Sequence, residues 1–401
     1  MRYKKPNIFC YRLAQAVCFA VATIIFKRKM LRNEIKNKKG PFVVIANHQA
    51  AYDFVNLIGA RKEPMSFVIS NSFYSSLPIK RFFDELGVIP KQQFQTTVKD
   101  MKDIKAVIDH GKALVIYPAG LMCEDGVSTP IPDATYKFLR WLGVDVYVAR
   151  TKGTYFAMPK WSKGMRAGKT FMDIYKLFSA EEIKTADLSY IKEKTDEALL
   201  FDAYREQEEL LIKYKKHNDI VGLENVLYIC PHCKTEFGIS VKGGNTLCCE
   251  KCGYEAYSDQ YSFLHNKKGI GKEIRYVSDW SKMIFASVKE QIKNGELSEL
   301  KSNAVIKMVD NKKHKFTVAG QGEVTLNSQG FTLRGNINGK ETELFASING
   351  IPTLPFSPGK YFEIQQGSDI YRCELSDGKQ VMKFINAVKS YYELSKEEVI
   401  R

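Results

Sequence analysis

His48 and Asp53 are the two residues of this chain whose types and spacing best suit acid–base chemistry. Imidazole is the side chain whose unperturbed pKa lies near neutrality, so a histidine held by a carboxylate can remove a proton from an alcohol. Five residues of an ideal helix turn through about 500°, which would leave these two side chains well apart in azimuth. The pair can therefore meet only if His48 lies in the turn before a helix and Asp53 lies in its first turns.

The residues around the pair predict that arrangement. Residues 41–46 form a strand-like apolar run, and Asn47, which follows them, is of a type preferred at helix N-caps. A helix N-terminus here would also help to keep a nearby imidazole neutral and therefore basic. A chance pairing is the alternative in a chain with six histidines, but the preceding asparagine and strand favour the functional interpretation.

Further segments follow in chain order and share a pattern with a known enzyme family. The Asn-His-x4-Asp motif, residues 86–90, residues 113–120 and residues 144–149 resemble, in turn, four blocks of the glycerol-phosphate and lysophospholipid acyltransferase family. The resemblance covers about residues 10–215. It implies that His48 takes the proton of an acceptor hydroxyl while that oxygen attacks the thioester of acyl-CoA or acyl carrier protein, without a covalent acyl-enzyme. It also implies that Asp53 orients the imidazole and stabilises the imidazolium.

Two blocks depart from the family pattern. The third usually reads Pro-Glu-Gly-Thr-Arg, but residues 118–122 are Pro-Ala-Gly-Leu-Met, and the usual Asp-Arg of the second is replaced by Gln92 and Gln93. In the family these charged residues help to bind the glycerol and phosphate of the acceptor, so the departures concern the acceptor and not the chemistry. Lys91, Arg81 or Arg150 could supply a cation in place of the missing arginine. Of these, Lys91 would not reproduce a bidentate guanidinium contact with phosphate. The candidate substrate-binding residues are Asn47, Lys91, Pro118, Gly120 and Arg150.

The N-terminal region combines positive charge with an apolar segment. The chain has a formal net charge of +15, and its first 40 residues hold eleven lysines and arginines against one acidic residue, Glu34. Residues 13–26 are almost entirely apolar, yet this is shorter than the roughly 20 residues that cross a bilayer. Residues 1–30 therefore predict a monotopic or peripheral helix on the cytoplasmic face of the cell membrane. Attraction to anionic lipid there strengthens membrane binding by about 1 kcal/mol per basic residue. A signal peptide is disfavoured because no small-residue cleavage site precedes residues 27–29; a buried core helix remains an alternative.

Four of the nine cysteines have the spacing of a metal site. Cys230, Cys233, Cys249 and Cys252 form C-x2-C-x15-C-x2-C, which predicts a closed structural Zn²⁺ site without a catalytic role. His232 is predicted to face solvent, and the remaining cysteines predict reduced thiols and not a disulfide scaffold. Many zinc ribbons bind nucleic acid, but the weakly basic surroundings make nucleic acid an unlikely partner here.

The pattern of elements predicts four regions. They are a membrane-associating helix over 1–30, an α/β acyltransferase domain with a mixed sheet flanked by helices over 31–219, a zinc ribbon over 220–262 and a β-rich domain over 263–401. Helices are expected within 179–219 and over 278–294, then short strands from 304 onward and a last helix near 378–394. Strands followed by one helix resemble a pleckstrin-homology-like (PH-like) domain, which implies lipid or partner binding.

The leading hypothesis is a membrane-associated acyltransferase that acts on a lysophospholipid or related acceptor. The alternative is a noncatalytic membrane or nucleic-acid adaptor on an acyltransferase scaffold, although retention of both His48 and Asp53 argues against it. A serine hydrolase is disfavoured because the chain has no G-x-S-x-G turn.

Overall fold

The computed structural model describes residues 3–77, 79–93, 97–216, 219–310, 313–367 and 369–400, with backbone alone at 398–400. Met1 and Arg2 of the predicted membrane helix lie outside the described residues. The chain divides into two compact units, residues 1–160 with 164–216 (unit 1) and residues 161–163 with 217–401 (unit 2).

Unit 1 alternates strands with helices. Its strands are β1 Lys29–Asn33, β2 Phe42–Ala46, β3 Met65–Ser70, β4 Ile89–Lys91, β5 Ala113–Ile116, β6 Asp145–Lys152 and β7 Phe171–Phe178. Its helices are α1 Ile8–Ile24, α2 Asp53–Ile58, α3 Asn71–Ser75, α4 Lys80–Glu85, α5 Val98–Asp109, α6 Ala134–Leu142, α7 Thr154–Ala157, α8 Ala180–Thr185, α9 Leu188–Leu199 and α10 Ala203–Leu210. The helices expected within residues 179–219 are α8, α9 and α10.

One seven-stranded mixed sheet organises unit 1, in the order β1-β7-β6-β2-β5-β3-β4. Strand β2 lies near its centre with all five residues buried, parallel to β5 on one side and to β6 on the other. The chain passes from β5 across β2 to β6, so the carboxyl end of β2 is a topological switch point, where open α/β sheets bind ligands. The predicted mixed α/β sheet flanked by helices is confirmed, and β6–β7 is its antiparallel pair.

The hydrophobic core of unit 1 covers one face of this sheet. Alternate residues of β2, Val43 and Ile45, pack there with Ile104 of α5, Leu139 of α6 and Ile191 of α9. Successive strand residues point to opposite faces, so this packing fixes which residues leave β2 on each side. Among the described helices, none is both long and apolar enough to cross a membrane.

Unit 2 contains two antiparallel sheets. Strands β8 Ile239–Lys242, β9 Thr246–Cys249, β10 Glu255–Ser258 and β11 Leu264–Asn266 form a four-stranded sheet in the order β11-β10-β9-β8. Its fourth strand lies beyond residue 262, the predicted end of the ribbon. Helix α11, Val277–Lys293, follows and is offset by one residue from the predicted helix over 278–294.

The second sheet of unit 2 has seven strands and one covering helix. The elements are β12 Glu299–Asp310, β13 Lys315–Asn327, β14 Gly330–Ile337, β15 Lys340–Ser347, β16 Phe356–Ser357, β17 Tyr361–Gln366, β18 Asp369–Leu375 and α12 Val381–Ile400. The sheet order is β15-β14-β13-β12-β18-β17-β16, and Phe384 of α12 packs on Phe331 and Phe362. The β-rich C-terminal region with a last helix is thus confirmed, while the PH-like identity stays a prediction.

Candidate functional site

His48 and Asp53 meet at the carboxyl end of β2. His48 lies in the loop after the strand, Asp53 is the first residue of α2, and His48 Nδ1 is 2.9 Å from Asp53 Oδ2. The same carboxylate oxygen accepts the backbone N–H groups of Gln49 at 2.7 Å and Ala50 at 2.9 Å. Asp53 is buried, whereas 20% of the His48 side chain is exposed. The predicted contact between the two side chains is present, and the imidazole remains open to a reactant.

The contact fixes the tautomer of the imidazole. A carboxylate accepts hydrogen bonds and does not donate them, so Nδ1 of His48 carries the proton and donates it to Asp53 Oδ2. Nε2 is then left with a free lone pair. An imidazole in this state can act as a general base at Nε2 while Asp53 holds its orientation.

Asn47 does not cap α2, so its predicted N-cap role is wrong. The N-cap position is Tyr52, and no side chain caps this helix. The Asn47 side chain instead donates to Thr151 O at 2.8 Å and accepts from Thr151 N at 2.8 Å. A buried amide must find hydrogen-bond partners, and the neighbouring strand β6 supplies them. Asn47 therefore joins the end of β2 to β6, six residues before α2 begins.

Two other segments hold the loop that carries His48. Cys123 N donates to His48 O at 3.3 Å, which ties the loop after β5 to the histidine backbone. Gln49 is fully buried, and its Oε1 accepts from Thr154 Oγ1 at 3.0 Å and Tyr155 N at 3.2 Å in α7. Residues far apart in sequence thus position the imidazole.

Tyr117 packs directly against the candidate base. It follows β5, the neighbour of β2, and its ring centroid lies 4.4 Å from that of His48 with an interplanar angle of 33°. Its hydroxyl is buried and has no hydrogen-bond partner among the described residues. Burial raises the pKa of Tyr117 well above its usual range, and the Asp53 carboxylate raises it further. Tyr117 is not among the site residues predicted from the sequence, although its place at the carboxyl end of an apolar strand was a usable signal.

The turn after Tyr117 contains two of the predicted substrate-binding residues, Pro118 and Gly120. Gly120 has φ +70°, and its N–H donates to Tyr117 O at 3.0 Å. Gln93 Nε2 donates to Gly120 O at 2.6 Å. The structure therefore brings the second and third family-like blocks together through a neutral amide, where the family pattern has charged residues.

The predicted substrate-binding cations, Lys91 and Arg150, and the further candidate Arg81 lie on β4, β6 and α4. Lys91 lies on β4, three strands from β2, a backbone separation of about 14 Å. Burial lowers its pKa, and its Nζ donates to Gln92 O at 3.1 Å. Arg150 lies on β6, next to β2, but its guanidinium pairs with Glu206 Oε1 at 3.0 Å. The contacts of Arg150 and Lys91 are thus with the protein itself, and Arg81 is exposed on α4.

Replacement of Tyr117 by phenylalanine is expected to retain the ring beside His48 and to remove a buried hydroxyl that makes no hydrogen bond. We therefore expect the free energy of unfolding to rise by about 1 kcal/mol and the rate of any reaction that uses His48 as its base to stay near that of the parent protein. Tyr117→Ala, which removes the ring, is expected to lower the free energy of unfolding by about 3 kcal/mol and to lower the reaction rate. Denaturant unfolding and initial rates measure both effects. A Phe variant with a strongly reduced rate would show that the hydroxyl takes part in the reaction.

Unit 2 contains a group of four thiols that could hold a metal ion. The sulfur atoms of Cys230, Cys233, Cys249 and Cys252 all lie within 4.8 Å of one another. The Sγ atoms of Cys230 and Cys252 are 3.6 Å apart, and those of Cys233 and Cys249 are 3.7 Å apart. Four ligands at Zn–S distances of about 2.3 Å in a tetrahedron would be about 3.8 Å apart. The thiols therefore fit a tetrahedral metal.

The turns of the ribbon explain this convergence. Lys234 N donates to Cys230 O at 3.1 Å, and Gly253 N donates to Cys249 O at 3.0 Å, so each Cys-x2-Cys pair lies on a tight turn. His232 is exposed, as predicted, and is not one of the four grouped ligands. Cys248, adjacent to Cys249, is also outside the group.

Comparisons with known proteins agree with the motif pattern in unit 1. Residues 27–165 match the family model described as Acyltransferase. A solved structure of the 1-acyl-sn-glycerophosphate (LPA) acyltransferase PlsC from Thermotoga maritima is similar at 18% identity, over 50% of this chain and 79% of that chain, with a TM-score of 0.42. The Ran-binding domain of Nup2 from Ashbya gossypii is similar at 14% identity, over 24% of this chain and 97% of that chain, with a TM-score of 0.20.

At these TM-scores, neither likeness assigns a substrate or partner to the chain. No curated protein matches the sequence. The part of the chain that matches the Acyltransferase model, residues 27–165, contains both His48 and Asp53.

Proposed function

We propose that the protein is a membrane-associated acyltransferase that moves a fatty acyl group from acyl-CoA or acyl carrier protein to a hydroxyl of a lysophospholipid or related glycerol-phosphate acceptor. The observation that carries the proposal is the His48–Asp53 contact at the switch point of the sheet, inside the region that matches the acyltransferase family. The proposed site residues are His48 and Asp53 for catalysis.

The proposed reaction follows from the open Nε2 of His48. The acceptor hydroxyl transfers its proton to Nε2 as its oxygen forms a bond with the thioester carbonyl carbon. Asp53, which accepts the Nδ1 proton, stabilises the resulting imidazolium. The tetrahedral intermediate then collapses, the carbon–sulfur bond breaks, and the thiolate takes the proton from His48. An ester and a free thiol result, and the imidazole returns to its starting state.

The burial pattern of α1 supports the proposed membrane association. Beside the aromatic ring of Tyr11, its buried face carries small and polar side chains, and buried Gln15 donates to Ile58 O at 3.1 Å and Arg61 O at 2.7 Å. Its exposed face carries large apolar side chains, which include Phe9, 79% exposed, and Val17, 58% exposed. A helix that packs only on a protein core turns its large apolar side chains inward and its polar side chains to solvent. Its outer face suits the apolar boundary of a membrane surface.

Basic residues lie near that apolar face. Lys5, Arg12, Lys27 and Lys29 are all exposed in or beside α1, and such residues favour anionic lipid. We accordingly propose a peripheral or monotopic protein on the cytoplasmic face of the cell membrane. The predicted core-helix alternative accounts for only the inner face of α1, since the described residues of unit 1 leave the outer face exposed.

Acceptor choice is where this site departs from the family pattern. Ala119 and Met122 occupy the positions of the usual carboxylate and arginine, and Arg150 is already paired with Glu206. Charge-assisted hydrogen bonds to phosphate contribute about 1.5–3 kcal/mol each. The proposed acceptor is therefore one whose phosphate is esterified to a head group, or one that lacks phosphate.

A competition assay tests both the activity and the acceptor. The purified protein is given acyl-CoA with equal amounts of lysophosphatidic acid, lysophosphatidylglycerol and a neutral monoacylglycerol, and products are quantified by mass spectrometry. We expect transfer to the second or third acceptor to exceed transfer to lysophosphatidic acid by about tenfold, because a phosphomonoester that leaves water without a charged partner loses about 1.4 kcal/mol or more of binding free energy. A strong preference for lysophosphatidic acid would contradict this choice and point to Lys91, Arg81 or Arg150 as its phosphate ligand.

For unit 2, we propose that Cys230, Cys233, Cys249 and Cys252 bind one structural Zn²⁺. The ion would supply folding energy and no chemistry, because four cysteine ligands leave no open coordination position. The β-rich region with α12 is proposed as a PH-like domain that binds lipid or a protein partner. Nucleic acid is not a proposed partner.

A further inference from the structure

The segment that contains α3 and α4 exposes apolar side chains of its own. Phe73 is 47% exposed and Ile79 is 55% exposed, and half-buried Phe83 packs edge-on against Phe73 with ring centroids 6.3 Å apart. Phe82 lies beside Phe83 in the same geometry. Single exposed apolar residues are ordinary in soluble proteins, but a contiguous group of them marks an interaction surface.

This aromatic segment adjoins the N-terminal end of α1. Asn7, the N-cap of α1, donates its backbone N–H to Glu85 O at 2.7 Å, and the Lys4 side chain pairs with the Glu85 carboxylate. Ile8 and Phe9, which follow Asn7 directly, are 66% and 79% exposed. The exposed side chains of α1 and of the α3–α4 segment therefore belong to neighbouring parts of unit 1, and we call them together the apolar face.

The charges around the apolar face are mainly positive. Lys5 and Arg81 are exposed. The two acidic residues of α4 are engaged by neighbours, since Tyr74 donates its hydroxyl proton to Asp84 Oδ1 at 2.5 Å and Lys4 pairs with Glu85. Apolar side chains bordered by exposed cations match a bilayer that contains anionic lipid better than they match an uncharged protein groove.

The position of α3 connects this face to the candidate active site. Helix α3 follows β3 directly, with Ser70 as its N-cap, and β3 is parallel to β5, which is parallel to β2. The carboxyl ends of parallel strands lie along one edge of the sheet, so α3 starts at the edge where His48 lies. A membrane that contacts α3 would thus lie close to the edge that holds the base.

We propose that the α3–α4 segment is a second membrane-contacting element, which acts with α1 to place the His48 edge of the sheet against an anionic bilayer. An acceptor could then keep its acyl chain in the bilayer while its hydroxyl reaches His48; that benefit rests on the proposed function, whereas the contact with lipid does not.

Vesicle co-sedimentation of the full-length protein tests the contact without any turnover. The probe is a vesicle of phosphatidylcholine with 30% phosphatidylglycerol, beside one of phosphatidylcholine alone. Phe73→Asp/Ile79→Asp is expected to weaken binding to the anionic vesicles by about tenfold or more, since two apolar side chains no longer enter the lipid. The matched control is Trp141→Asp/Leu200→Asp, because these side chains are 47% and 64% exposed in unit 1 but lie at α6 and the end of α9.

The outcomes separate this proposal from the proposed function. Unchanged vesicle binding by the folded Phe73→Asp/Ile79→Asp protein, an equal loss in the control, or no binding of the parent protein to either vesicle would overturn the proposal. Circular dichroism and the unfolding midpoint show whether each variant is folded, and Phe73→Ser/Ile79→Ser, which adds no charge, replaces an unfolded Asp variant. A parent protein that binds vesicles through this segment but transfers no acyl group would overturn the function and leave the contact standing.

Discussion

His48→Ala is expected to lower the rate of acyl transfer by about 10²–10⁴-fold, the usual contribution of a general base. The substitution removes the Nε2 lone pair, while the backbone N–H groups of Gln49 and Ala50 still bind Asp53. The fold and the membrane association should therefore persist. Initial rates with acyl-CoA and an acceptor that the parent protein uses give the measurement, and the unfolding midpoint gives the check on folding.

The chain offers a matched control for this variant. His110 is an exposed histidine at the end of α5, where its Nδ1 donates to Ala106 O at 2.6 Å, and His110→Ala should keep the parent rate. Asp53→Asn should reduce the rate by as much as His48→Ala or less, because an amide retains some contacts of the carboxylate but not its charge. Near-normal turnover by His48→Ala with every acceptor would refute the mechanism. A parent protein inactive with a broad set of acceptors and donors would favour the noncatalytic adaptor.

The sequence predicted those parts of the site that depend on residues close together in the chain. The strand before Asn47, the start of a helix near Asp53 and the contact between His48 and Asp53 all follow from about a dozen consecutive residues. The grouping of the four thiols follows from two short turns in the same way. Local spacing limits the possible geometry strongly in both cases, so a pattern in the sequence was sufficient.

Contacts between distant residues were not predictable from the same patterns. Asn47 suited a helix cap by type, but Thr151, 104 residues later, provides its partners. Tyr117 lies beside His48 only because β5 pairs with β2, and Arg150 is neutralised by Glu206 of α10. Sheet order decides each of these contacts, and one sequence does not give the order of strands in a mixed sheet.

The apolar character of residues 13–26 was evident from the sequence, but the direction of the helix face was not. Amphipathic helices usually turn their apolar side inward. In α1 the inner face includes Gln15, whose amide donates to two backbone oxygens, and the outer face includes Phe9 and Val17. Small side chains such as Ala14 and Ala22 allow close packing against unit 1, which leaves the large apolar side chains outside.

Cys230→Ser is expected to remove most of the zinc that the parent protein carries, which we expect to be one ion per chain by elemental analysis. Metal binding supplies much of the folding energy of such a site, so the unfolding midpoint of unit 2 should also fall. The loss should extend beyond the ribbon, because Ile229, next to Cys230, accepts a hydrogen bond from Trp280 Nε1 of α11 at 2.8 Å. Lys383 of α12 pairs with Glu236 of the ribbon at 2.6 Å in the same unit.

The neighbouring thiol Cys248 provides the control for this prediction. It is buried like Cys230, but its sulfur is 3.9 Å from Thr246 O and lies outside the group of four. Cys248→Ser should therefore retain the full zinc content even if it lowers stability, because a structural site needs only its own four ligands. Acyl transfer should survive in Cys230→Ser, since His48 and Asp53 belong to unit 1. Full zinc content in Cys230→Ser, or loss of zinc in Cys248→Ser, would contradict the assignment of the ligands. Loss of acyl transfer on zinc removal without unfolding would give the metal a role in the reaction.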